Sequence, residues 1–404
     1  MWLHLIKTLW KRKTKHLLIS AEICLIFMVI FAVVAGVSYN TRLFQRPLGF
    51  EVEDRWRVAI EWSQLSNSNG NAPQADAQWV ENVKRSLAAL PEVEALSFMQ
   101  FTPYSNSAFR SYVNVPQTEV KSWTYMLRTD DDAARTLGLQ LSAGRWFSAA
   151  DEGADQPVVV IDRQLANELF PQQNPLGQLL SNSTPQDKSP VYSKVIGVVE
   201  GFRYRGEFMD ESKIVLQRHS PLTQAPLGEL LIKVKPGTPR HFEIKLHQQL
   251  KLVRNDANYR ISTLAEERAE ILRQKKVFFS PPVMIAVFLL IMVSFGLFGV
   301  LWQNTQSRIP EMGLRRAVGA SRFNIYGQII AEQALLCSLA MAVGLLFLIQ
   351  LPLTGIMAKF MDWQSFFMSV GISMLIVYAM SLMCSLYPAW RASQLDPSEA
   401  LRYE

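Results

Sequence analysis

The stretch Val283-Met284-Ile285-Ala286-Val287-Phe288-Leu289-Leu290-Ile291-Met292-Val293-Ser294-Phe295-Gly296-Leu297-Phe298-Gly299-Val300-Leu301-Trp302 contains no charged side chain. Its length matches the ~20 residues that an α-helix needs to cross the hydrocarbon core of a bilayer. Leu17 to Ser38, Ile329 to Leu351 and Ser365 to Leu386 have the same character, with a lone acid in two of them, Glu22 and Glu332. The four stretches predict an integral membrane protein with four transmembrane helices. The mean hydropathy of +0.07 then averages membrane helices with a polar domain of ordinary composition.

Charge orients the chain. Residues 1–16 hold Lys7, Lys11, Arg12, Lys13 and Lys15 and no acid, so the positive-inside rule places the N-terminus in the cytoplasm. Within it Trp2, Leu5, Ile6 and Leu9 share one helical face, which predicts an amphipathic helix over 1–16 lying on membrane lipid. Alternation then gives spans over 17–39, 278–302, 329–351 and 365–387. It places an extracytoplasmic domain over 40–277, a cytoplasmic loop over 303–328, a short outer loop over 352–364 and a cytoplasmic tail over 388–404. The first apolar run exceeds the ~7–15 residues of a cleaved signal's core and reads as a retained anchor. The net charge of +6 needs no nucleic acid, because the cations cluster where a membrane protein uses them.

The fold class expected is therefore membrane α-helical with an α+β extracytoplasmic domain between the first two helices. Val158-Val159-Val160-Ile161, Lys194 to Val199 and Leu230 to Val234 read as strands, and Asp76 to Leu90, Arg163 to Leu169 and Pro239 to Leu252 as helices. The cysteines, Cys24, Cys337 and Cys384, all fall within spans, so the outer domain is held without disulfides. Asp130-Asp131-Asp132 read as a solvated turn or helix start rather than a cation site. Trp123, Tyr125, Trp146 and Phe147 read as core. Ser365, Ser369 and Ser373, four apart, form a small-residue stripe for close helix packing.

The sequence has no GxxxxGK[ST] loop, no HExxH and no CxxC, and its five histidines lack metal-ligand spacing. No catalytic, cofactor or metal site is expected. What stands out instead is a basic loop between two spans: Pro310-Glu311-Met312-Gly313-Leu314-Arg315-Arg316-Ala317-Val318-Gly319-Ala320-Ser321. Pro310 suits the first helical position, Glu311 the first turn, and Gly319 the end, which predicts one short helix roughly 13 Å long. On spacing alone it is equally a charged loop that fixes topology.

That loop, running into Arg322-Phe323-Asn324-Ile325 and the span with Glu332, resembles the signature of FtsX-like permeases of ABC transporters, the group that includes MacB-type exporters. The tail from Pro388 through Arg391, Asp396, Pro397 and Glu399 to Arg402 is similar to that family's ending, and Asp396, Pro397 and Glu399 would start a last helical turn as cap, N1 and N3. Leu137-Gly138-Leu139, Ala143-Gly144-Arg145-Trp146-Phe147, Leu169-Phe170-Pro171 and Asn174-Pro175-Leu176-Gly177 resemble the family's periplasmic core domain.

The resemblance implies a porter-like lobe interrupted by a second lobe at approximately 118–225, in a bacterial inner-membrane protein. It implies a dimer with a second permease protomer, identical or not, driven by a cytoplasmic ABC ATPase dimer that binds the ATP and magnesium. It assigns Glu311, Met312, Gly313, Leu314, Arg315, Arg316, Gly319 and Ser321 to the helix that docks on that ATPase, with Arg391, Asp396, Pro397, Glu399 and Arg402 as a C-terminal cytoplasmic contact. In MacB the ATPase is fused at the N-terminus, whereas here the first span begins at about Leu17, so a separate ATPase is expected. The expected role is transmission of ATP-driven motion to the outer domain and export of a peptide, antibiotic or other amphiphile, with a periplasmic adaptor and outer-membrane channel in a Gram-negative host. The alternatives are a non-transporting transmitter acting on a cell-wall hydrolase or sensor kinase, and a lipoprotein-extracting permease.

Overall fold

The structure, a computed structural model, describes residues 13–61, 77–182, 191–210, 212–219, 227–255, 257–306, 314, 318–319, 321–355, 357 and 360–394. The chain divides into a helical unit, Met1–Arg42 with Lys276–Glu404, and an α+β unit, Leu43–Lys275. The amphipathic helix expected over 1–16 falls largely outside the described residues.

Four helices are long and apolar enough to cross a membrane, within Ile19–Gln45, Leu264–Gln303, Arg322–Leu353 and Trp363–Arg391. The first belongs to α1 (Lys13–Gln45). In the helical unit its residues Ile23, Ile26 and Phe27 are fully buried against Leu297, Met341, Phe366 and Val377. Large side chains such as Met284, Phe288, Phe295, Leu346 and Met383 stay exposed on the unit's surface, as a lipid-facing helix requires. Ser365, Ser369 and Ser373 are buried within the same unit, so the small-residue stripe packs inside the protomer.

In the α+β unit the chain builds two lobes. The first comprises β1 (Arg55–Glu61), α2 (Ala77–Ala88) and β2 (Val93–Met99), then β10 (Glu229–Val234), α5 (Phe242–Val253) and β11 (Asn258–Thr263). Its strands lie in the order β11-β1-β10-β2, and every neighbouring pair is antiparallel. This is a split βαβ repeat of the ferredoxin-like kind. The alternation of Trp56, Val58 and Ile60, and of Leu230, Ile232 and Val234, turns one sheet face towards Val83 and Leu87 of α2 and Leu246 and Leu250 of α5.

The second lobe interrupts the first between Met99 and Glu229. It holds β3 (Phe109–Asn114), β4 (Lys121–Thr129), α3 (Ala133–Leu137), β5 (Leu141–Gly144), β6 (Val158–Asp162), α4 (Arg163–Leu169), β7 (Leu179–Ser181), β8 (Tyr192–Val199) and β9 (Ile214–Arg218). The pairings β4-β3-β7-β8-β6-β9 return to β4 through the parallel register Tyr125↔Ile214 to Thr129↔Arg218, which closes the strands into a ring. Val113, Met126, Val159, Ile161, Val195 and Val215 form its core together with Leu165 and Leu169 of α4. Because β3 is part of the ring, the insertion begins ahead of the expected 118.

The second span, expected from 278, lies within α6, which runs unbroken from Leu264 to Gln306 through Pro281 and Pro282. That is roughly 65 Å of helix against a hydrocarbon core about 30 Å thick, so the charged first turns, up to Lys275, belong to the α+β unit. The three acids form the expected turn and helix start, with Asp132 at the N-cap position of α3, and each is paired. Asp130 pairs with Lys84 at 2.8 Å and accepts from Ser97 Oγ at 2.6 Å, Asp131 pairs with Arg218 at 2.8 Å, and Asp132 reaches Lys84 at 3.3 Å. Burial opposes the charge on Lys84, but Asp130 and Asp132 hold its ammonium above the ordinary lysine range. Of the four aromatics expected in the core, Phe147 is buried, whereas Trp123 is 42% exposed, tilted at 59° against Tyr112 and with the Arg110 guanidinium 5.5 Å from its ring centre.

Candidate functional site

The segment singled out by the sequence lies between the end of α6 at Gln306 and the start of α7 (Arg322–Leu348). Glu311, Met312, Gly313, Arg315 and Arg316 lie outside the described residues, as do Asp396, Pro397, Glu399 and Arg402. Within the segment Leu314 is helical, the Val318 amide donates to the Leu314 carbonyl at 3.1 Å, and Gly319 has φ +101°. A residue at that φ ends a helix readily only as glycine. Ser321 also has a structural role: it caps α7, its Oγ accepting from the Asn324 amide at 3.2 Å.

Around the end of α6 the helical unit builds an aromatic cluster with α9 (Trp363–Gln394), which follows the short α8 (Gln350–Leu353). Trp302 stacks on Tyr387 with ring centroids 5.8 Å apart and an interplanar angle of 11°, Phe298 stacks on Trp302 at 6.2 Å, and Tyr387 meets Trp390 at 6.2 Å. The Arg391 guanidinium lies 4.8 Å from the Trp302 ring centre. Large amphipathic rings with a cation over them suit a membrane–water interface.

Among the described residues, most polar groups inside the spans are hydrogen-bonded, although the buried Gln333 Oε1 and Ser369 Oγ find no partner. Gln333 Nε2 on α7 donates to Ser381 Oγ on α9 at 3.0 Å, and Cys337 Sγ lies 3.0 Å from the same oxygen. Glu332 accepts from Gln328 Nε2 at 3.0 Å, and the Glu22 carboxylate packs against Gly296, where a Cβ would come within 2.8 Å of its oxygen. Near the start of α9, Asp362 takes the Ser365 hydroxyl and pairs with Arg42 at 2.7 Å. These two donors hold its carboxyl down at about 2.

Residues 24–240 match the MacB-like periplasmic core domain, and residues 283–397 match the FtsX-like permease C-terminal family. The chain belongs to the MacB/FtsX-like family of ABC transporter permeases. With four helices able to span a membrane and a MacB-type domain, the permease is an inner-membrane protein with a periplasmic domain. It is 24% identical over 371 residues to the macrolide export ATP-binding/permease protein MacB of Nitrobacter winogradskyi, covering 87% of the permease and 53% of that protein. It is 24% identical over 352 residues to YvrN, an uncharacterized ABC transporter permease of Bacillus subtilis, covering 83% and 81%. The permease spans between 30% and 53% of the length of three MacB relatives. Among solved structures, the periplasmic region of MacB from Actinobacillus actinomycetemcomitans aligns with a TM-score of 0.39 and 15% identity, over 57% of the permease and 97% of that chain.

Proposed function

We propose that the permease is the membrane half of an ATP-driven export machine. A separate cytoplasmic ATPase dimer binds ATP and magnesium, the segment Glu311–Ser321 takes up its movement, and the helices pass that movement to the periplasmic domain. A second permease protomer completes the dimer. The observation that carries this reading is that each of the two chain connections between the helical and the α+β unit is a continuous helix, α1 and α6. A helix transmits displacement along its axis, whereas a flexible linker absorbs it. Few ionisable groups lie within the spans, and those described are packed or paired, which suits a transmitter better than a polar conduit through the bilayer. The substrate is then met outside the inner membrane. Macrolide export in the names of several relatives supports an amphiphile of that kind, passed on to an adaptor and outer-membrane channel in a Gram-negative host.

The test is purification of the complex from its native membrane. The permease alone should hydrolyse no ATP above background, turnover should appear with the co-purified ATPase, and the complex should move an amphiphilic substrate. ATP turnover by the pure chain would refute the division of labour. A cell-wall hydrolase or sensor kinase recovered in place of transport would make the permease a non-transporting transmitter.

A further inference from the structure

The loop Phe202–Asp210 touches both ends of the α+β unit, where the chain arrives from α1 and where it leaves through α6. Arg203 is a buried arginine whose side chain, among the described residues, donates to backbone carbonyls: Nη1 to Arg46 at 2.9 Å, Nε and Nη2 to Met209 at 3.0 and 2.8 Å, and Nη2 also to Glu207. Its amide donates to the Leu48 carbonyl at 2.9 Å. The arriving segment, Arg46 to Leu48, is thus fixed to the loop.

Glu207 binds the departing helix. Its side chain is 2% exposed, and Oε1 accepts from Arg268 Nε on α6 at 2.5 Å and from the Tyr104 hydroxyl at 3.4 Å. Between these two attachments the Phe208 ring meets Phe44 at 6.3 Å and carries the Lys275 ammonium 5.6 Å above it. Two glycines make the fit possible. At Gly49, φ +82°, a Cβ would fall 1.8 Å from the Gly201 carbonyl oxygen, and at Gly206, φ +88°, it would fall 2.6 Å from the Tyr104 ring. None of these loop residues belongs to a strand of either lobe. A buried charge held in this way has a purpose other than completing a sheet, because burying it costs free energy that only its partners offset.

We propose that the Phe202–Asp210 loop is a clasp, in which Arg203, Glu207 and Arg268 are positioning residues that lock the arriving segment and the first turns of α6 into one element. Displacement of either helix then reaches the periplasmic domain as a joint movement. This rests on the transmission reading above. The experiment uses the full chain with its ATPase in lipid nanodiscs and hydrogen–deuterium exchange with and without a non-hydrolysable ATP analogue. In the wild type the analogue should change exchange in Phe109–Thr129.

In Glu207→Ala, and in the milder Arg268→Gln at a partly exposed site, amides of Leu43–Val52 and Leu264–Lys275 should exchange roughly tenfold faster or more. The response in Phe109–Thr129 should vanish while ATP turnover persists. Variants that keep a wild-type response would overturn the clasp and leave transmission standing. A wild type with no response would overturn transmission and the clasp with it. If Glu207→Ala also loosens β6 and β9, Arg268→Gln decides, and loss of protection throughout those strands in that variant too would overturn the clasp in favour of a purely structural contact.

Discussion

Replacing Asp162 by Ala should destabilise the second lobe by an amount that shrinks as pH rises. Asp162 ends β6 and caps α4, is fully buried, and gathers four donors: the Gln164 amide at 3.2 Å, the Leu165 amide at 3.4 Å, the Ile214 amide at 2.9 Å and Ser212 Oγ at 2.9 Å. Losing the cap costs about 1 kcal/mol. Leaving the buried Ile214 amide without an acceptor adds about 1–3 kcal/mol, while the Ser212 hydroxyl can turn elsewhere. Burial outweighs the four donors and pushes the Asp162 carboxyl up to about 6, from 3.8.

A folded-state pKa above the unfolded one means that the native state holds the extra proton between those values. The stability it contributes is complete below about pH 4 and is lost as pH rises through about 6. The full swing is ~3 kcal/mol, of which ~2 kcal/mol falls between pH 4.5 and pH 7. The alanine variant lacks this swing. Exchange of the Val158–Arg163 amides in the detergent-solubilised chain, corrected for intrinsic pH dependence, should show the gap between wild type and variant narrowing by that amount from pH 4.5 to 7. A constant gap would mean that Asp162 does not titrate there. A widening gap would mean that its donors, not its burial, dominate.

Two further outcomes follow from backbone geometry and topology. Gly49→Ala should cost well over the ~1–2 kcal/mol of a left-handed residue, because the Gly201 carbonyl cannot rotate away, whereas Gly153→Ala, at φ +74° with open space around it, should cost only that penalty; urea unfolding of the two variants, monitored by exchange in the α+β unit, compares them. A cysteine at Ala154 should react with an impermeant thiol reagent applied outside the inner membrane, and one at Gln306 should react only after that membrane is breached. The reverse pattern would invert the orientation drawn from Lys7 to Lys15.

Where one local pattern decides an element, the sequence is legible. Twenty apolar residues permit little but a span, and Val158 to Ile161 followed by Asp162 reads as a strand running into a capped helix, which is where β6 and α4 meet. The start of α6 was hidden because Glu266, Glu267, Arg268, Glu270 and Arg273 look like a soluble helix and Pro281-Pro282 look like its end. The ring of strands was hidden because its closure pairs Tyr125 with Ile214, residues that no local periodicity connects. Arg203 and Glu207 carry no motif at all; their importance lies in what surrounds them. Ser321 carries a readable signal, a serine directly before a long apolar helix, which is the position of a helix cap.

Energy transfer through the segment between α6 and α7 is what makes the permease a transmitter. Replacing Arg315 and Arg316 together by Glu reverses two charges at the surface proposed to meet the ATPase. Like-charge juxtaposition at an interface costs several kcal/mol, and ~1.4 kcal/mol already weakens association tenfold. Insertion should survive, since Lys7 to Lys15, Arg308 and Arg322 remain. The measurement is recovery of the ATPase by wild-type and double-Glu permease at matched membrane levels, with transport assayed alongside. Joint loss of ATPase recovery and transport is the predicted result; equal recovery with unchanged transport would mean that the two arginines only set topology.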